Sequence, residues 1–318
     1  MVMTTDRAAN PRAVAQPPTG RRRSAIRVNA QVDRWTATAF LTPALLAFTI
    51  FVIVPAIAGL TLSFFSWDLF SSPQFVGLQN IDRLFGDAQM WQSLEVTLAF
   101  VLMGVIPTML VGFVLAVLIN VKLPGVPAFR VLYFSPIIAS SAVTALIWAI
   151  IYSPQVGLFN QVLKVVGIPG PNWLSDDFWA RPAIVIIMIW SALPLVLMLY
   201  LSGLQRIPED LYAAASLDGA GAWRQLWSIT WPNVWPTTLL VAVLESIGFI
   251  NGSFEIPLIM TDGGPLQATE SLALYAYHVA FRDRDIGYAS ALSLFQLLLI
   301  AVIVLAIAMF RKIRKAKS

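Results

Sequence analysis

Glu245 and Glu255 are the only charged residues between Trp235 and Met260, a run otherwise apolar and long enough to cross a bilayer as a helix. A charge at that depth costs about 2.5–3.5 kcal/mol on insertion scales, so it marks either a polar pathway or a bond to a neighbouring helix. Ten residues separate the two carboxylates. On a helix this is roughly 15 Å along the axis and about 80° around it, so they need not share one site. Between them stand Asn251, Gly252, Ser253 and Phe254, with Pro257 just beyond. Such a segment can unwind and line a polar cavity only where protein or water shields it from lipid; the competing role is hydrogen bonding to neighbouring helices. Glu245, Asn251, Ser253, Phe254 and Glu255 are therefore the first candidates for a translocation pathway.

Other chemistry is excluded by what is missing. The chain has no cysteine and a single histidine, His278. Thiol catalysis, His-rich metal sites and a His-dependent triad are not expected, and His278 reads as an ordinary polar residue of a loop. No lysine follows a glycine, so the phosphate-binding loop of ATPases cannot be built. No catalytic residue, metal ligand or resident cofactor is expected. Uphill transport would need an ion gradient or another chain.

The elements that must hold these residues are membrane spans. Of 318 residues, 58% are hydrophobic and 12% charged, too little charge to cover a soluble surface. An all-α integral membrane protein with a six-helix bundle is expected. The first span lies between Arg34 and Asp68 and the second between Glu95 and Lys122; the third begins after Arg130 and ends near Tyr152. The fourth lies between Arg181 and Arg206, the fifth runs from Trp235 to Met260, and the sixth lies between Asp285 and Arg311. Residues 1–34 read as a basic, disordered tail, 35–310 as the six-span domain, and 311–318 as a second basic tail. Basic residues are retained on the cytoplasmic side, so both tails are expected inside, in a bacterial inner membrane. Ala56-Ile57-Ala58 resembles a signal cleavage site, but the uncharged run from Trp35 to Trp67 is far longer than a signal core, favouring an uncleaved span. The net charge is +4, and the basic residues are divided between two short tails, which fits topology and anionic lipid rather than nucleic acid.

The connection at 206–232 has its own design. Pro208, Glu209 and Asp210 suit a helix start, and a short helix is expected from Leu211 to Leu217. Ala213, Ala214 and Ala215 give it a smooth face, and Asp218-Gly219-Ala220 supplies a turn. From Ala222 a second helix sets Trp223, Leu226, Trp227 and Thr230 on one face and is expected to stop near Trp231, because Pro232 cannot continue it. The Trp stripe either packs beneath the chain's own spans or docks into a partner.

Tyr212 to Pro232 resembles the cytoplasmic signature loop of permease subunits in binding-protein-dependent ABC importers, through Ala214, Ala215, Asp218, Gly219, Ala220, Ile229 and Pro232. From about residue 40 onward the chain is similar to the carbohydrate type, in particular the first permease of maltose and glycerol-phosphate systems. "FVGLQN" (75–80), "FRVLYFSP" (129–136), "GLQRIPEDLY" (203–212), "TDGGP" (261–265) and "IGYASALS" (286–293) carry that likeness. Ala213 stands where the family usually has a glutamate that holds the loop to the ATPase, and Trp231 replaces the usual leucine.

The resemblance implies a heteromeric importer: this chain, a second similar permease, an ABC ATPase dimer that binds ATP and Mg, and an extracytoplasmic solute-binding protein. Residues 206–232 would couple to the ATPase, with Ala213, Ala214, Ala215, Asp218, Gly219, Ala220, Trp223, Trp227 and Pro232 at the contact. The solute would be a sugar or short oligosaccharide, with Trp148, Trp190 and Phe254 as stacking surfaces. No Lys or Arg lies deep within a span, which disfavours the alternative, a glycerol-phosphate compound or diester. A proton-coupled carrier using Glu245 or Glu255 is the rival from another class.

Overall fold

The computed structural model describes residues 30–120, 135–137 and 139–317. The chain divides into two compact units, Met1–Pro55 and Ala56–Ser318. In the first, helix α1 (Ala30–Phe48) runs into a π-helical turn, Thr49–Ile53. Every side chain described between positions 38 and 55 is exposed.

Helix α2 (Val54–Leu62) carries the chain into the second unit. A two-strand antiparallel ribbon follows, β1 (Phe65–Ser66) with β2 (Gln74–Phe75), pairing Phe65 with Phe75 and Ser66 with Gln74. Then come α3 (Gln79–Gly86), α4 (Ala88–Asn120), α5 (Ser141–Ile151), α6 (Leu158–Val165), α7 (Asp177–Leu204) and α8 (Glu209–Leu217). The last elements are α9 (Ala222–Gln225), a second π-helical turn at Leu226–Thr230, α10 (Trp231–Met260), α11 (Leu272–Phe281) and α12 (Ile286–Lys317).

Five stretches among the described residues are long and apolar enough to span: Thr38–Leu62, Ala88–Asn120, Asp177–Leu204, Ala222–Met260 and Ile286–Phe310. The fold is the expected all-α membrane bundle. The third expected span contributes α5, whose 11 residues reach only about 16 Å; residues 121–134 and 138, where the rest of that span falls, lie outside the described residues. Helices α4 and α7 begin before the charges taken as boundaries, because Glu95 and Arg181 sit in their early turns and pair, Arg181 Nη1 to Glu95 Oε1 at 3.4 Å.

The core is built where α4, α7 and α10 meet. Phe100, Ile184, Ile187, Phe249 and Ile250 form its middle, and Phe113, Val196, Tyr200, Val234 and Val241 its end nearest α8. The backbones approach closely because α4 carries glycine at the contacts: a Cβ on Gly104 would enter the Phe249 ring.

One expectation about α10 is corrected. The helix was expected to stop at Pro232; instead it runs unbroken from Ala222 to Met260, 39 residues. A proline lacks the N–H that would bond four residues back, and its ring crowds that carbonyl. The preceding π turn absorbs this, with the Trp231 amide bonding five residues back to Leu226 O. The same device precedes Pro55, where the Val54 amide reaches Thr49 O. The segment Ile250–Glu255, whose composition would allow unwinding, is helical. Pro257 leaves the Ser253 carbonyl without its helical donor, and Ser271 Oγ donates to it at 2.6 Å.

Candidate substrate pathway and coupling elbow

The pathway candidates of α10 divide among different faces. Glu245 is 4% exposed and makes no side-chain hydrogen bond or ion pair among the described residues. It stands one turn from Val241 on one side and from Phe249 on the other, both core residues. Glu255 is exposed. Ser253 is buried, and its hydroxyl turns back onto Ile250 O at 2.6 Å. Trp148 and Trp190 meet edge to face with ring centroids 5.7 Å apart, within a cluster that includes Tyr152, Phe159 and Trp173. They are not beside Phe254, whose ring instead meets Tyr277 at 5.3 Å.

Asn251 and Phe254 line an open groove of about 590 Å³ between α10, α11 and α12, together with Tyr277, Ser290 and Gln296. Sequence reasoning missed the last three. They lie beyond span five, and only the packing of α11 and α12 against α10 brings them to Asn251.

The end of the bundle opposite α8 is braced by polar contacts that spacing could not reveal. His278, expected in a loop, lies on α11 and is buried. Its Nδ1 is 2.6 Å from Glu270 Oε1 and its Nε2 3.2 Å from Asp262 Oδ1. Arg282 Nη2 donates to both Asp262 oxygens at 2.6 Å and holds that carboxyl below the usual carboxylate range. Gln89 Nε2 donates to Glu270 at 2.5 Å, joining the start of α4 to this cluster.

Asp87 is the second brace, accepting from Tyr275 Oη at 2.6 Å and Tyr288 Oη at 2.5 Å. Burial pushes its carboxyl up, but the two hydroxyls and the Gln89 and Met90 amides outweigh this and hold it below 3.8. A depressed carboxyl stabilises the fold fully above its unfolded value, and that contribution is lost as pH falls through the folded value. Tyr275→Phe should therefore lower stability at neutral pH by roughly 1.5–3 kcal/mol, the worth of a hydrogen bond to a charge. It should also make the remaining acid-dependent loss smaller. Thermal unfolding in detergent between neutral pH and about pH 3 checks both; an acid profile identical to that of the parent protein would rule Asp87 out as the titrating brace.

At the other end, α8, the turn and α9 form an elbow. Helix α8 starts at Glu209 and ends at Leu217. Gly219 has φ +74°, its N–H donates to Ser216 O at 3.1 Å, and the Ala220 N–H donates to Ala215 O at 2.9 Å. These paired bonds are those of a helix ended by a left-handed residue. Gln225 Nε2 donates to Ser216 Oγ and Ala220 O, both at 2.9 Å, and Tyr212 Oη lies 2.9 Å from Thr230 Oγ1. The elbow is thus tied to itself and to the base of α10.

Ala213, Ala214, Asp218, Gly219 and Pro232 are exposed, and Ala215 and Ala220 are half-buried. Trp223 is 73% exposed and Trp227 also lies open, whereas Leu226 is half-buried and Thr230 buried. The tryptophans form a column instead of the expected stripe: Trp223, Trp227, Trp231 and Trp235 meet at 5.7, 5.9 and 5.8 Å, and Trp235 meets Phe310 of α12 at 6.3 Å.

A multi-span helical bundle with an exposed helical elbow continuous with one of its spans has the architecture of a membrane transport subunit. The chain belongs to the family of binding-protein-dependent transport system inner membrane components, whose pattern it matches over residues 125–315, and it is an ABC transporter permease. It is 36% identical over 259 residues to the probable ABC transporter permease protein YurN of Bacillus subtilis (strain 168), covering 80% of this chain and 88% of that protein. It is 32% identical to the trehalose/maltose transport system permease protein MalF of Thermococcus litoralis, covering 86% and 93%. The fold matches a chain of a bacterial alginate ABC transporter solved in complex with alginate pentasaccharide-bound periplasmic protein, with TM-score 0.77 and 24% identity over 90% of this chain and 98% of that one.

Proposed function

We propose that this chain is one permease of a type I importer for a neutral sugar or short oligosaccharide, driven by a separate ATPase through residues 206–232. The observation that carries the reading is the exposed elbow, joined without a break to the span that holds Asn251 and Phe254. ATP binding closes an ATPase dimer, the elbow follows, and this chain with a second permease changes which side its pathway opens to. An extracytoplasmic binding protein delivers the solute, and both termini face the cytoplasm. The Thermococcus litoralis relative is named for trehalose and maltose, both neutral, and no Lys or Arg lies deep within a described span, which supports a neutral solute over a phosphodiester.

The test is uptake of maltose, trehalose and lactose into proteoliposomes holding both permeases, the ATPase and the binding protein. Uptake should require ATP and all four proteins. Accumulation by this chain alone, abolished by collapsing a proton gradient, would instead establish a carrier working through Glu245 or Glu255.

With alanine at 213 in place of the family's glutamate, the exposed Trp223 and Trp227 carry the docking energy. Trp223→Ala should weaken ATPase binding by about 2 kcal/mol, roughly thirtyfold, as for a central aromatic anchor, while leaving insertion intact. Titrating the ATPase onto the permease pair measures this; an unchanged affinity would move the docking contact elsewhere.

A further inference from the structure

We infer that the groove between α10, α11 and α12 is a saccharide-binding site, with Gln296, Ser290 and Tyr277 acting with Asn251 to set which sugar is carried; this rests on the sugar-importer reading above. The side chains of Asn251, Tyr277, Ser290 and Gln296 all face the groove, and none makes a hydrogen bond among the described residues. Asn251 and Gln296 belong to the spanning stretches Ala222–Met260 and Ile286–Phe310. An amide facing lipid without a partner costs about 2–7 kcal/mol, and polar side chains in spans ordinarily find a bond across the helix interface. Polar groups around the groove are bonded instead: Ser253 donates to Ile250 O, Ser271 to Ser253 O, and the groove's own Ser293 to Ala289 O. The four groove residues are left over, and they are left over together.

Their chemistry selects the occupant. Phe254, Tyr277 and Phe281 form one continuous aromatic wall, with ring centroids 5.3 and 4.9 Å apart. The same groove is lined by two carboxamides and a serine hydroxyl, groups that both donate and accept. No charged side chain lines the groove. A pyranose ring presents an apolar C–H face suited to the aromatic wall and a rim of hydroxyls suited to the amides, whereas a phosphate or carboxylate would find no cation. The volume, about 590 Å³, falls within the roughly 300–1,000 Å³ usual for small-molecule sites.

The chain contains no cysteine, which makes it directly suited to a labelling test. Gln296→Cys is assembled with cysteine-free partner subunits in proteoliposomes and treated with a small, cationic, water-soluble methanethiosulfonate. The thiol should react in the assembled transporter, and whichever of maltose, trehalose or lactose the wild-type complex imports should slow that reaction. Gln296→Leu should reduce import of the same sugar roughly tenfold, the loss of one or two hydrogen bonds, and Gln296→Asn should recover part of it. A thiol that reacts in the chain alone but not in the complex would show that the second permease covers the groove and overturns the proposal. So would a reactive thiol that the imported sugar fails to protect, leaving the sugar-importer reading intact. If the wild-type complex imports none of the three, the sugar-importer reading fails, and the saccharide assignment falls with it.

Discussion

Gly219→Pro should leave the protein inserted and assembled but reduce ATP-driven uptake by roughly tenfold or more, with ATP hydrolysis continuing uncoupled. Gly219 has φ +74°, and proline is fixed near −65°, so the substitution cannot adopt the native turn. It also removes the N–H that bonds to Ser216 O, one of the two bonds that end α8. With the turn reopened, α8 and α9 lose their relative placement, and the contacts from Gln225 to Ser216 and Ala220 lose their register. Glycine is needed for conformation, not space, since a Cβ there would meet nothing within 4 Å. Gly219→Asn, which tolerates the left-handed region, should therefore keep most of the uptake. Comparing sugar uptake with ATP hydrolysis in the two variants is decisive; intact coupling in the proline variant would remove the elbow from the mechanism.

The second large effect is expected at Gly104, where space and not conformation is limiting. A methyl group at this position enters the ring of Phe249, which is 2% exposed and sits in the middle of the core. Gly104→Ala must push α4 away from α10 or force Phe249 off its rotamer, at about 1–3 kcal/mol. Phe249→Leu alone should also destabilise, yet the double variant should be more stable than the sum of the two losses implies. Thermal unfolding of the four proteins in one detergent gives the coupling energy directly. Strict additivity would mean that α4 and α10 are not in contact through this pair.

Where the chain's own chemistry acts locally, the sequence announced it. Pro208, Glu209 and Asp210 mark the start of α8, and Asp218-Gly219 marks its end, because caps and left-handed turns are decided within a few residues. Five of the six expected spans were equally legible, since uncharged runs of that length have no other stable environment. The continuation of the helix through Pro232 was not, because it depends on a π turn whose i to i+5 bonds leave no compositional trace. Nor was the Asp87 brace, whose partners Tyr275 and Tyr288 are 188 and 201 residues away. The groove shows both sides of this: Asn251 and Phe254 stood out as polar and aromatic positions near intramembrane acids, whereas Gln296 is an unremarkable polar residue until α12 is packed beside α10.

The absence of any break between Ala222 and Met260 has a mechanical consequence. A continuous helix of 39 residues is roughly 58 Å long, and pivoting it as one body by about 10° around its midpoint would swing each tip by about 5 Å in opposite directions. Its far tip passes directly into Asp262, which Arg282 and His278 shackle to α11. A push delivered at the tryptophan end would then reach the opposite rim of the bundle, on the helix that forms one side of the groove.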